Sequence, residues 1–405
     1  MPKAPDGHLS ASIPRQNRKR IEPPKIRRPV IGLEAEFTLY VQEKRRFPEH
    51  VFRSPQRIIR ETMIPRTGRS FHLPSGGAIY FDTGVIEVAT PIIELEPGCC
   101  VRAVRSLWEQ IRYVRTELDE WEKKNGAAVR LEGFSTHYNV SVPDREDLDP
   151  AGWQQAALLL TYLMHPPVML LAANKLSTGV GIRPRPRRLE VTVDFTPDPE
   201  LMVATSALVA GSIPSILEWP SFDLSELQKR AIPVIHGFRP RKHTSRKGFL
   251  ARYDCFPQNP FAADPNAPQW QVNGRQSLSL RQIAREIAAP FRKSIRAVAD
   301  ASTVKHLFAV LDGRARSLLD FESRPGRYED VGRLIDWNRR ELDHLPRSKY
   351  EKVIRRIITH KPIRVGANAY KPERMQGWYE VVFRNTSSGR RRVFNLDELV
   401  RHCAV

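Results

Sequence analysis

The chain has 405 residues and a formal net charge of +20, with 41% hydrophobic and 27% charged residues. This is enough sequence for two domains, or for one large catalytic domain with an appendage, and the composition is that of a globular protein with a sizeable core. No continuous apolar run reaches the roughly 20 residues that a membrane span needs, the N-terminus has no apolar signal-peptide segment, and the four cysteines show no Cys-x-x-Cys spacing, which argues against a zinc site or a disulfide framework. A cytoplasmic protein without a membrane partner is therefore expected. The positive charge attracts polyanions of any kind, whether nucleic acid, nucleotide or acidic protein. Its clusters, in RQNRKRIEPPKIRR near the start and at 183–188, 238–247 and 389–392, have no interleaved aromatics of the sort that stack bases.

Residues 1–29 are polar, basic and proline-rich and read as a flexible basic arm. The first element is VIGLEAEFTLYV, β-branched and apolar apart from Glu34 and Glu36, and hence a strand. SPQRIIRETM reads as a helix capped by Ser54, and GGAIYFDTGVIEVATP as a strand pair bending at Gly84. Val101, Val104, Leu107, Ile111, Val114, Leu118 and Trp121 recur at intervals of three and four and mark a long amphipathic helix. AAVRLEGFSTHYNVSV returns to strand character. Asp149–Pro150 and Asp198–Pro199 each supply a cap and a first-turn proline for an apolar helix, and RRLEVTVDF between them alternates as a strand. WQVNG is strand-like, Ser279 and Gln282 form a capping box for a helical stretch to about Ala299, and 303–345 reads as mainly helical. GWYEVVFRNTSSGRRRVFNLDEL reads as a hairpin turning at Ser387–Gly389, followed by a short helix, with a domain boundary near 350.

Strand period two puts Glu34 and Glu36 on one face. Two neighbouring carboxylates raise each other's pKa and are costly to bury, so they call for a cation between them, a divalent metal being the simplest. A polar solvent face on an edge strand is the alternative for one such pair. The pattern recurs, however, as Tyr80 with Asp82, His137 with Asn139, and Arg188 with Glu190, so four strands could offer carboxylates, imidazole, amide, phenol and guanidinium to one concavity. Singly, Asp82 could be a turn residue, Glu87 a strand flank, His137 a structural histidine, Arg188 part of a solvated run, and Asp194 a strand end. Mg²⁺ takes carboxylate oxygens and shares them with substrate phosphates, while arginine offers phosphate a planar fork. There is no Gly-x-x-x-x-Gly-Lys, Gly-x-Gly-x-x-Gly or Gly-x-Ser-x-Gly, so any nucleotide would be held by metal and arginine rather than by a glycine cradle.

These motifs, in this order, resemble the glutamine synthetase-like carboxylate-amine ligases, and most closely the bacterial Pup ligase and Pup deamidase/depupylase family. GLEAEF is similar to the family's Gly-Ile-Glu-x-Glu-Phe strand. GGAIYFDTGVIEVATP is similar to Asn-Gly-Ala-Arg-x-Tyr-x-Asp continuing to Pro-Glu-Tyr-Ala-Thr, STHYNVSV to Cys-His-Glu-Asn-Tyr-Leu, and RRLEVTVDFTPDPE to Arg-Arg-Leu-His-Val-Ile-x-Gly-Asp-x-Asn-x-x-Glu. NGRQSLSLRQIARE and RLIDW resemble the later segments, so the resemblance runs over residues 30–340. It implies an α+β fold, a strongly curved antiparallel sheet packed against helices, with a catalytic domain over 30–349 and a small C-terminal domain over 350–405. It further implies ATP and Mg²⁺ as cofactors, with Glu34, Glu36 and Glu87 as metal ligands, Tyr80, His137, Asn139 and Arg188 at the nucleotide, and Asp82 as base, with Arg188 also catalytic through phosphate contact.

The implied reaction activates a glutamate side-chain carboxylate as an acyl phosphate and joins it to a protein lysine as an isopeptide bond. The implied partner is a small acidic Pup-like modifier or a glutamate-ended peptide, which the positive field suits. The chain departs from the family at Tyr138, which stands for a carboxylate, and at Glu190, which stands for histidine. It is also shortened before Arg188, and it has no long insert after the first strand, which favours the ligase branch over the depupylase. The alternatives are an isopeptidase or deamidase on the same scaffold, a small-molecule glutamate-amine ligase, and a non-enzymatic basic nucleic-acid-binding protein.

Overall fold

The computed structural model describes residues 27–66, 69–143, 145, 147–273, 276–321, 328–337, 339 and 345–403, so the expected arm lies almost wholly outside the described residues. The run Val30–Val41 is a long strand whose alternation divides it cleanly. Ile31, Leu33, Ala35, Phe37 and Leu39 are buried at 0–1% exposure, while Gly32, Glu34 and Glu36 take the opposite face. Ile31, Leu33, Phe37 and Leu39 each contribute roughly 1.5–3 kcal/mol by leaving water, which fixes the register against a one-residue slip.

On one side this strand pairs with Val129–Ser141, which leads on to Arg188–Asp194 and then Val180–Arg185. On the other side it pairs with the hairpin Ala78–Asp82 and Val85–Ala89. The whole is a curved sheet of twelve strands with antiparallel pairing throughout. At the hairpin turn Gly84 has φ +93° and its face is covered by the Phe47 ring, which a Cβ there would strike.

Helices Cys99–Asn125, Pro150–Ala172 and Pro199–Leu217 cover the apolar face of the sheet and complete the main core. The caps arise as the sequence dictates, since Asp149 accepts the amide of Gly152 at 2.7 Å and Asp198 accepts those of Glu200 and Leu201. Pro150–Ala172 and Pro199–Leu217 are in fact long and apolar enough to cross a membrane, contrary to the expectation from unbroken apolar runs, but most of each lies inside the protein.

Two other expectations fail. SPQRIIRETM forms only the single turn Pro55–Arg57, because the Arg60 amide and guanidinium are both claimed by Glu117, at 2.7 Å from the amide. Between 303 and 345 the helix Ala301–Leu311 is followed, among the described residues, by turns and the short Leu318–Asp320.

The last part of the chain, from the helix Lys349–Ile358 onward, folds strands Ile363–Val365, Asn368–Gln376, Glu380–Asn385 and Arg391–Asn395 into a second antiparallel sheet closed by Leu396–His402. Its apolar cluster, including Tyr350, Phe383 and Phe394, also takes in Val30, Ile64 and Ile92, which fastens it to the start of the central strand.

Candidate active site

Cross-strand register builds the site, because residues directly opposite in an antiparallel sheet share a face. Arg185, Arg188, Ser141 and Val30 make one rung, and Arg183, Glu190, Asn139 and Gly32 the next. Thr192, His137 and Glu34 follow, then Asp194, Ser135, Glu36, Glu87 and Tyr80, and finally Thr38, Val85 and Asp82. Rungs on one face are about 7 Å apart. The helix-free face thus passes from guanidinium through carboxylate and imidazole to a lone aspartate.

His137 is the hub. Its Nδ1 lies 3.4 Å from Glu34 Oε2 and 3.4 Å from Glu190 Oε1, and its Nε2 lies 3.1 Å from Ser135 Oγ and 3.8 Å from Glu36 Oε1. Ser135 Oγ donates to Glu36 Oε2 at 2.5 Å, and the Tyr80 hydroxyl donates to Glu87 Oε1. Arg183 and Arg185 grip the buried Glu190, the latter at 3.1 Å.

The charges settle accordingly. Burial pulls the His137 imidazole down, but the hydrogen bond to Glu34 and the charges of Glu36, Glu190 and Glu34 outweigh it, so its pKa is raised. Burial opposes ionisation of Glu34 as well, yet His137, Arg188 and Arg66 bring its pKa down to about 2. Glu87 goes the other way, since burial and the charges of Glu34 and Glu36 push it well above the carboxylate range despite the Tyr80 hydrogen bond. Burial and the charges of Glu34 and Glu87 also raise the Tyr80 phenol.

All eight residues singled out in the sequence lie along this face. Glu34, Glu36, Glu87 and His137 meet, Tyr80 joins through Glu87, Asn139 sits one rung from His137, and Arg188 one rung further. Asp82 is exposed at the hairpin end, bonded by the Thr83 hydroxyl at 2.7 Å. Asp194 closes its strand and accepts the Asn174 amide at 2.9 Å.

Two overlapping sets, Glu34–His137–Glu190 and Glu36–Glu87–His137, bring donor atoms within 4.8 Å of one another. Carboxylate oxygens with one imidazole suit Mg²⁺ or Mn²⁺. Beside them Arg188 Nε, Arg183 Nε and Asn139 Oδ1 are buried without a hydrogen-bond partner, an expensive condition that an anionic, oxygen-rich ligand would relieve. Gly32 adds a gap, because a Cβ there would meet only Thr90 Oγ1 at 3.8 Å, over a small pocket lined by Glu34, Asn139, Ser141, Arg188 and Trp378.

No family model matches the chain, and no curated protein matches it. Among solved structures it is similar to a chain in the crystal structure of the complex between the prokaryotic ubiquitin-like protein Pup and its ligase PafA, with 12% identity, 92% of each chain covered and a TM-score of 0.50. The fold is PafA-like.

Sequence reasoning places Glu190 on this face as the companion of Arg188 but gives it no ligand role, and it misses three further contributors, Ser135, Arg66 and Trp378. Ser135 is two residues before His137 and was legible by the same rule. Arg66 and Trp378 left no local signal.

Proposed function

We propose that this protein is an ATP-dependent carboxylate-amine ligase of the Pup-ligase type, activating a glutamate carboxylate and joining it to an amine. The observation that carries the reading is the ordered face itself: unpartnered arginine nitrogens, then two metal-competent carboxylate–histidine sets, then an exposed aspartate. Bound Mg²⁺ would neutralise phosphate charge and polarise the phosphoryl group. Glu34, Glu36, Glu87 and His137 would hold it, with Glu190 completing a second set. Arg188 would bind phosphate oxygens, and Arg183, once Glu190 is engaged elsewhere, would turn its fork to the same anion.

The substrate carboxylate oxygen attacks the γ-phosphorus and the bond to the β-phosphate oxygen breaks, leaving ADP and an acyl phosphate. The amine nitrogen then attacks the acyl carbon, Asp82 takes the ammonium proton, and phosphate departs as the amide forms. Exposure of Asp82 suits this role, because a lysine on another protein can reach it. The PafA complex contains Pup, an acceptable guide to the partner's chemistry: an acidic chain ending in a carboxylate-bearing residue would be drawn by the charge of +20.

The test is ADP release by the purified protein with Mg²⁺, a glutamate-ended acidic peptide and a lysine acceptor. Stimulated release with amide product supports the proposal. Binding of ATP without turnover, together with hydrolysis of the amide-linked product, would instead assign the isopeptidase direction on the same scaffold. Gly32→Val, which fills the gap beside Asn139 while keeping an extended backbone, is expected to weaken nucleotide binding about tenfold or more, measured by calorimetry. Absence of Mg²⁺-dependent nucleotide binding in the native protein would overturn the reading.

A further inference from the structure

Phe134 breaks the alternation of its strand. In Val129–Ser141 the side chains of Val129, Leu131 and Gly133 face the helices, and beyond them the inward positions become Thr136, Tyr138 and Val140. The phase changes where Ser135 pairs with Glu36 and Gly133 pairs with Phe37, so Phe134 is the extra residue of a β-bulge. Two residues of the bulged strand then oppose one on its partner. Ser135 lies on the open face, where its Oγ donates to Glu36, and Phe134 is turned out beside it with 53% of its surface exposed. The bulge is held from below. The Phe195 amide donates to the Phe134 carbonyl at 3.2 Å, and a Cβ on Gly133 would strike the buried Phe195 ring at 2.4 Å.

The surroundings of this ring are acidic. Glu36 lies across from Ser135 on one side, and Asp194 pairs with Ser135 on the other. Glu132, two residues before Phe134, shares a rung with Thr38, Val85 and Asp82. The arginine of the next rung, Arg130, is taken up by the Tyr40 ring at 4.2 Å and by Glu132 at 3.5 Å. Arg183 and Arg188 stand two and three rungs off, roughly 14 and 21 Å along the strands. An anionic group is therefore repelled beside Phe134. A cation on an apolar stem finds carboxylates for its charge and a π face for both charge and stem, and a lysine side chain is such a group.

We propose that Phe134 is the residue that selects the amine substrate: the acceptor lysine lies with its stem across this ring and its ammonium toward the metal-competent carboxylates. The inference rests on the ligase reading above and deepens it. It divides the open face by charge, with the phosphates at the arginine end and the amine between Phe134 and Asp82. The bulge is what makes this possible, because strict alternation would turn a side chain next to Ser135 into the core.

The test compares native protein with Phe134→Ala, Phe134→Leu and Phe134→Trp, using Mg²⁺–ATP, a glutamate-ended peptide and two acceptors. One is a lysine peptide blocked at both ends. The other is hydroxylamine, which has no stem and is largely uncharged at neutral pH; its nitrogen attacks the acyl carbon, a proton passes to solvent, phosphate departs and a hydroxamate forms. Phe134→Ala should raise KM for the lysine peptide about 3- to 30-fold, the range of a cation over an aromatic face. Phe134→Leu should recover part of the loss through the stem alone, and Phe134→Trp should match the native protein or improve on it. Hydroxamate formation and KM for the glutamate peptide should stay within about twofold. Binding of the lysine peptide without nucleotide, followed by saturation-transfer NMR, should rank the variants in the same order.

An unchanged KM for the lysine peptide in Phe134→Ala would sink the inference while leaving the ligase reading intact. Equal losses with hydroxylamine would also overturn it, because the ring would then serve the integrity of the face rather than the amine. A raised KM for the glutamate peptide in place of the lysine peptide would assign Phe134 to the carboxylate substrate and defeat the proposal. If the native protein turns over no ATP, yet binds the lysine peptide in a way that Phe134→Ala abolishes and Phe134→Trp keeps, the ligase reading fails and the amine site stands.

Discussion

Among the described residues two glutamates, Glu190 and Glu373, are each gripped by two arginines from strands of their own sheet, and only Glu190 lies on the candidate face. Glu190 is held by Arg183 and Arg185 on the large sheet, and Glu373 by Arg384 and Arg391 on the small one, at 2.8 Å from each. The partners match, but the surroundings do not. Glu190 is 1% exposed and faces His137, while Glu373 is 27% exposed with arginines that are more than half in water. An arginine–carboxylate fork on a wet strand is a surface cross-strand pair worth little. Out of water and beside more carboxylates, it becomes a stored charge imbalance that a ligand can rearrange.

The sharpest way to break this comparison is through turnover. Glu34→Ala and Asp82→Asn should each lower ADP release by about 100-fold or more, with far-UV circular dichroism unchanged, whereas Glu373→Ala should leave turnover as it was. The next largest effect is on stability. Glu190→Ala leaves Arg183 and Arg185 facing a buried void without their partner and should cost about 3 kcal/mol in urea unfolding.

Acid sharpens the contrast from the histidine side. His137, among carboxylates, has a raised pKa, whereas burial pushes His72, helped by Arg66, and His165 down to about 3. An unfolded imidazole takes its proton near pH 6.5 and these folded ones only near pH 3. Between those values the unfolded state binds more protons, so stability falls as pH falls, by about 1.4 kcal/mol per unit for each histidine. His165→Phe, which keeps the stack on Phe238, should remove one such share of the slope in denaturant melts at stepped pH. Smallest of all, Glu373→Ala should change stability by less than about 1 kcal/mol.

Most of the face could be read from the chain because strand alternation is a local property. Glu34 with Glu36, His137 with Asn139, and Arg188 with Glu190 are each two apart, and only their meeting needed the fold. The caps at Asp149, Asp198 and Ser279 were equally local, with Ser279 and Gln282 exchanging the two bonds of a capping box. What escaped was set by distant partners. The apolar spacing of SPQRIIRETM suits a helix, but Glu117 takes the Arg60 amide from across the core. Arg66 follows the two-residue strand Ile64–Pro65, and its platform, Trp378, sits in a turn of another sheet, so neither carries a pattern of its own.

The helix Pro150–Ala172 has a consequence for how the protein is made. It places 23 strongly apolar residues, including Pro166 and Pro167, in the middle of the core. Several of the elements that enclose it, Val180–Arg185, Pro199–Leu217 and Leu280–Ala288, come later in the chain. At roughly 5–20 residues per second of synthesis, the segment waits for many seconds for the last of these coverings. The ribosome therefore releases one of the two most apolar helices of this molecule before its shelter is complete.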